Sequence, residues 1–160
     1  MFINKEVDIP EPLLAAQRAG RLVVFAGAGI SMGPPSNLPD FGRLADLISG
    51  GTLARSADEP LDLFLGRLQS KGVDVQARAR TFIGDPASTA APIHAALAEL
   101  FPSADAVRIV TTNFDNHLST AVRERHSAAD IFYAPALPLG RAFSGLAYLH
   151  ASIARREPLI

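Results

Sequence analysis

Three short clusters in this chain carry residue types that do chemistry. The first is Gly27-Ala28-Gly29, directly after the apolar run Leu22-Val23-Val24-Phe25-Ala26. Two glycines around an alanine let the backbone turn sharply with no large side chain over the turn. A phosphate or ribose can then approach the main-chain N–H groups. The pattern G-x-G-x-x-G is met only in part, because its third position falls on Met32 and the next glycine is Gly33. A plain strand-to-helix turn is the competing reading. No lysine follows in a G-K-[ST] pattern, which argues against a P-loop. The second cluster is Thr111-Thr112-Asn113-Phe114-Asp115. An asparagine amide both donates and accepts, and a carboxylate accepts several hydrogen bonds. Equally, Asn113 and Asp115 are types that cap a following helix. The third is His150, which suits a general base near neutral pH or a structural hydrogen bond at a strand end.

These clusters need elements to position them. Leu22 to Ala26 reads as a first strand buried on both faces. A short helix over Pro12 to Ala19 precedes it, stopped by Gly20. The loop Met32 to Pro39 holds three prolines and is irregular. Asp40 then caps a helix over Phe41 to Ser49, which ends at Gly50-Gly51. Residues 52–104 read as helices alone. Pro60 starts one with Leu61, Phe64, Leu65 and Leu68 on one face. A second runs from Val73 to Ile83. Ser88 or Thr89 caps a third over Ala90 to Phe101, with Ile93, Leu97 and Leu100 in register. Val107 to Thr112 is a second strand, and a helix over about Asn116 to Arg125 turns Leu118, Ala121 and Val122 inward. Ile131 to Tyr133 and Gly145 to His150 are further strands, and Pro158-Leu159-Ile160 begins another. This order predicts an α/β fold: a Rossmann-like parallel sheet in one domain, residues 1–160, with a helical insertion, 52–104, between the first and second strands. Ligands of such sheets sit at the carboxyl ends of strands, where all three clusters fall.

Composition bounds the function. The 160 residues are 48% hydrophobic and 19% charged, an ordinary globular balance. The net charge of -1 gives no electrostatic case for nucleic acid or an anionic membrane. The absence of cysteine excludes disulfides and thiolate zinc sites. No apolar run approaches the roughly 20 residues of a membrane helix. The first residues, MFINKEVDIPEP, lack the blocks of a signal peptide. The expectation is a soluble, cytoplasmic protein.

Gly27-Ala28-Gly29-Ile30-Ser31 with Pro39-Asp40-Phe41 resembles the GAGIS…PDF signature of the sirtuin superfamily, which binds NAD on a Rossmann-like fold. TTNFD at Thr111 to Asp115 resembles the family's T-x-N-x-D block, and Leu149-His150 resembles its later LHG block, in the family's order. His94, in P-x-H-x-x-L, stands where sirtuin-like hydrolases often have a helix histidine; it reads here as buried and structural. His117 and His126 read as solvated on a polar helix face.

The resemblance implies cleavage of the nicotinamide–ribose bond of NAD, through a cationic sugar like that of glycoside hydrolysis. Asn113 would hold a water or ribose hydroxyl, His150 would act as base, and Asp115 would orient the carboxamide or stabilise the cation. Gly27, Ala28, Gly29, Ile30, Ser31, Asp40, Phe41 and Thr112 would bind NAD, with Phe41 covering the nicotinamide side. Ser31 is as readily a cap as a ligand contact.

The departures point to one branch. Gly42 stands where deacylases typically carry arginine, and the zinc cysteines are missing. The chain therefore resembles the sirtuin-like NAD hydrolases, many of which serve bacterial defence against phage. Ala151 replaces the glycine after the histidine, where a methyl restricts the backbone. The family's sheet continues beyond the LHG block, so a fragment or short form is expected, lacking the adenine-side residues. An open sheet edge then favours a homo-oligomer or larger assembly. The alternatives are a module that senses NAD or ADP-ribose, or scaffolds a partner, without turnover, and, third, a protein deacylase.

Overall fold

The computed structural model describes residues 8–138, 143–150 and 152–153. The strand expected at Pro158-Leu159-Ile160 and the methyl of Ala151 lie outside them. Among the described residues four strands form one all-parallel sheet: β1 (Val24–Ala26), β2 (Arg108–Thr111), β3 (Ile131–Tyr133) and β4 (Gly145–Tyr148), in the spatial order β1-β2-β4-β3. Every strand runs the same way, so all four carboxyl ends share one edge. The expected α/β fold is the one observed, with helices alone between β1 and β2 apart from short turns.

Among the described residues there are six helices: α1 (Glu11–Arg18), α2 (Phe41–Ser49), α3 (Leu61–Ser70), α4 (Val75–Ile83), α5 (Pro92–Glu99) and α6 (His117–Arg125). Their boundaries follow local chemistry. The Asp40 carboxylate accepts from Arg43 N–H at 2.7 Å and caps α2, and Gly50 closes it with φ 54. Asp74 caps α4 in the same way, accepting from Ala77 N–H at 2.9 Å. The start of α5 differs from expectation. Its N-cap is Ala91, and neither Ser88 nor Thr89 caps it.

Two apolar cores result. One lies between α2, α3 and α4, where Leu44, Ile48, Phe64, Leu65, Leu68 and Ile83 are buried. The other lies against the sheet, where Ile109, Leu118, Val122, Leu146 and Tyr148 are buried. Tyr148 stacks on Tyr133 at 5.0 Å, and burial raises its phenol pKa well above the ordinary value. α5 packs on α6 through His94 and Ala98, both 0% exposed. Ile93 and Leu100, expected inward, are instead partly exposed.

β1 also differs from expectation. It is an edge strand, and Phe25 is 75% exposed and Val23 45%. Among the described residues only β2 pairs with it, and the face that carries Phe25 is uncovered. Gly145 opens β4 at φ 129, where a Cβ would collide with the Asp130 carbonyl, so no side chain fits.

Candidate functional site

The ends of β1 and β2 are tied together before any side chain of the site is placed. Thr111 Oγ1 donates to the Ala26 carbonyl at 2.9 Å, and Thr112 N–H donates to the same oxygen at 3.2 Å. Thr111 Oγ1 in turn accepts from Asn113 N–H at 3.1 Å. The chain therefore leaves β2 with Asn113 fixed beside the turn that follows β1. After β4, Leu149 N–H donates to the Thr111 carbonyl at 2.9 Å. Ile153 N–H donates to the Phe114 carbonyl at 2.8 Å. Those bonds hold the segment carrying His150 against the same edge.

The Gly27-Ala28-Gly29 turn enters a short 3₁₀ turn, Ala28–Ser31, with Gly27 at φ -114. Neither Gly27 nor Gly29 has a positive φ, so the turn does not demand glycine for its conformation. What glycine leaves is room. A Cβ on Gly29 would meet nothing within 4 Å, and one on Gly27 would come only to 3.8 Å of Thr112 Oγ1.

The 3₁₀ turn delivers Ser31 into the interior, 1% exposed, rather than to a helix cap. Its hydroxyl donates to Asp115 Oδ2 at 3.0 Å and lies 3.1 Å from His94 Nε2. Asn113 Nδ2 donates to Asp115 Oδ2 at 3.2 Å and to Ser31 Oγ at 3.3 Å. Asp115 Oδ1 accepts from His117 N–H at 3.0 Å. Asp115 is 4% exposed, and three donors meet its carboxylate. Asn113 is 3% exposed, and its Oδ1 has no partner. A buried acceptor left unpaired in an otherwise satisfied cluster points to a ligand or water.

These groups floor a cavity of about 350 Å³ between the sheet edge and the α2–α4 core. That volume lies at the small end of the roughly 300–1,000 Å³ typical of small-molecule sites. Ala28, Ser31, Phe41, Thr112, Asn113, Asp115 and His150 line it, so most of the expected residues converge. Gly27, Gly29 and Ile30 do not line it, and Asp40 lines a neighbouring cleft with Arg43. Phe114 links Phe41 and His150, with ring centroids 6.3 Å and 5.9 Å away. His150 is exposed at the rim, two residues beyond the end of β4. The lining holds two carboxylates, Asp62 and Asp115, and neither lysine nor arginine. Such a wall favours a cationic or neutral ligand end over a phosphate.

Sequence reasoning missed several participants. Asp62, Leu38, Leu44 and Ile83 reach the cavity from the helical block and its approach. His117 and His126 are buried rather than solvated. His126 Nε2 lies 3.1 Å from the Ala98 carbonyl, and His117 Nε2 lies 2.7 Å from Ser88 Oγ. Burial lowers the His117 pKa below its ordinary 6.5, against the opposing pull of the Asp115 charge. Both histidines turn inward because the α5–α6 contact covers this side of α6.

No protein-family model matches the chain, and no curated protein matches it significantly. Among the described residues, no helix is long and apolar enough to cross a membrane.

Proposed function

We propose that this domain binds the nicotinamide–ribose end of NAD and hydrolyses it to nicotinamide and ADP-ribose. The observation that supports this most is the buried, unpaired Oδ1 of Asn113, a residue that lines a largely apolar cavity whose wall also holds two carboxylates and the rings of Phe41 and Phe114. An acceptor there holds a water or a sugar hydroxyl. The carboxylates of Asp115 and Asp62 in the cavity lining favour a cationic sugar and a pyridinium ring. The open space at Gly29 leaves main-chain approach for the rest of the dinucleotide. The motif order GAGIS, TTNFD and LH points the same way.

In this reading the water oxygen joins the ribose carbon, and the carbon–nitrogen bond to nicotinamide breaks. That bond's electron pair neutralises the ring nitrogen, and one water proton leaves. Asn113 positions the water or the adjacent hydroxyl. Asp115 stabilises positive charge as it spreads over the sugar. His150, exposed at the rim, accepts the proton and returns it to solvent. Phe41 and Phe114 exclude bulk water from the ring. The test is nicotinamide release by the purified chain, lost in Asn113→Ala and His150→Ala while the fold is retained.

A second reading, binding without turnover, is favoured by one observation. No hydrogen bond from a described residue orients the His150 ring, whereas efficient bases are usually held by a third group. It predicts thermal stabilisation by NAD or ADP-ribose with no product. The exposed edge of β1 supports self-association of the domain as a companion proposal. A strict monomer in light scattering at high protein concentration counts against it.

A further inference from the structure

His94 lies beneath the cavity floor and does not line it. It is 0% exposed, and every atom of its ring that can bond has a neighbour. Nδ1 is 2.9 Å from Ala91 N and 3.0 Å from the Ala91 carbonyl oxygen. That carbonyl already accepts from His94 N–H at 2.9 Å. The Ala91 N–H can only donate, so Nδ1 is the acceptor and the proton sits on Nε2. Nε2–H then donates to Ser31 Oγ.

The consequence runs through the network. With one lone pair of Ser31 Oγ taken by His94, its single proton points to Asp115 Oδ2. Asp115 Oδ2 accepts from Ser31 and also from Asn113; because a carboxylate only accepts, Asn113 must turn its NH₂ inward, where it also donates to Ser31 Oγ. The amide is thereby locked, and Oδ1 is the atom left unpaired. From these observations we propose that His94 is a positioning residue: by donating to Ser31 it holds in place the hydroxyl that Asn113 and Asp115 both meet, and so steadies the Asn113 amide in the orientation that Asp115 sets, with Oδ1 left as an acceptor for the ligand. The group that meets Asn113 must then be a donor: a water, a sugar hydroxyl or a carboxamide N–H. This deepens the hydrolase reading and rests on it for the ligand's identity, but the relay itself does not depend on turnover.

The test uses the whole chain and two substitutions of different reach. His94→Gln keeps a donor near the Nε2 position. His94→Asn is too short to reach Ser31. Imidazole nitrogen correlations by NMR on the wild-type chain read the tautomer, and the Asn113 side-chain amide resonances read the lock. The proposal expects the proton on Nε2 and none on Nδ1. It expects a protected Asn113 amide in wild type and His94→Gln, and loss of that protection in His94→Asn. With turnover present, kcat falls about tenfold in His94→Asn, as for one lost orienting hydrogen bond, while KM changes less. His94→Gln recovers most of kcat.

A proton on Nδ1, or a protected Asn113 amide in His94→Asn, overturns the proposal. Equal loss of the amide signal in both variants also overturns it, because general loosening then explains the effect. A wild-type chain that releases no nicotinamide defeats the hydrolase reading alone, and the tautomer and the amide still decide the relay.

Discussion

Ser31→Ala removes one hydroxyl from the centre of the buried cluster, and the structure sets the scale of the damage. The hydroxyl is 1% exposed and meets His94, Asp115 and Asn113 at 3.1, 3.0 and 3.3 Å. Two losses dominate. The His94 Nε2–H keeps no acceptor in a fully buried position, and such an orphan costs about 1–3 kcal/mol. Asp115 loses one of three donors, and a hydrogen bond to a charged group contributes about 1.5–3 kcal/mol. Asn113 loses its bond to Ser31 and keeps the one to Asp115, so the energetic loss there is small although the amide is less firmly held. The two main terms share an atom and do not add in full, leaving a net cost of about 2–4 kcal/mol. For a chain of this length that lowers Tm by on the order of 10 °C. Thermal unfolding followed by circular dichroism near neutral pH reads it. Ser70→Ala serves as the control, because that hydroxyl bonds only the Arg67 carbonyl at an exposed helix end. A Ser31→Ala shift within about 2 °C of the control refutes the claim that the cluster is tightly satisfied.

Other outcomes follow from the same geometry. Because burial lowers the His117 pKa, the unfolded chain binds the proton more readily than the folded one. Stability therefore falls as pH drops from about 7 towards 5, and a His117→Gln variant shows a shallower fall in thermal melts over that range. Gly29→Ala leaves stability within about 0.5 kcal/mol, since the added methyl meets open space at an ordinary φ. If the dinucleotide passes over this turn, calorimetry on the same variant shows weakened NAD binding. Gly145→Ala, by contrast, drives a methyl into the Asp130 carbonyl at φ 129 and destabilises by more than about 2 kcal/mol in denaturant titration.

Much of the frame was legible because it is written locally. The Asp40 cap, the Gly50 stop and the face Leu61-Phe64-Leu65-Leu68 each sit within a few residues of what they control. The β-branched run before Thr111 marked β2 for the same reason. What escaped was set by tertiary neighbours. An apolar run such as Leu22 to Ala26 looks the same at the edge of a sheet as at its centre, so the exposure of Phe25 was hidden. The inward face of α5 carries His94 and Ala98 rather than Ile93 and Leu100, because packing against α6 outweighs hydrophobicity. Ser31 meets Asp115 across 84 positions and His94 across 63, and no local pattern announces such a meeting. The motif residues pointed to the cavity, and the burial of His94 was legible with them; its bond to Ser31 came from the fold.

The central claim is turnover of NAD at this cavity, and nicotinamide release from NAD by the purified chain tests it most directly. The account predicts release by the wild-type chain and its loss in Asn113→Ala and in His150→Ala, with melting curves that show both variants folded. Release that persists unchanged in folded Asn113→Ala would contradict it, as would a well-folded wild-type chain that yields no nicotinamide.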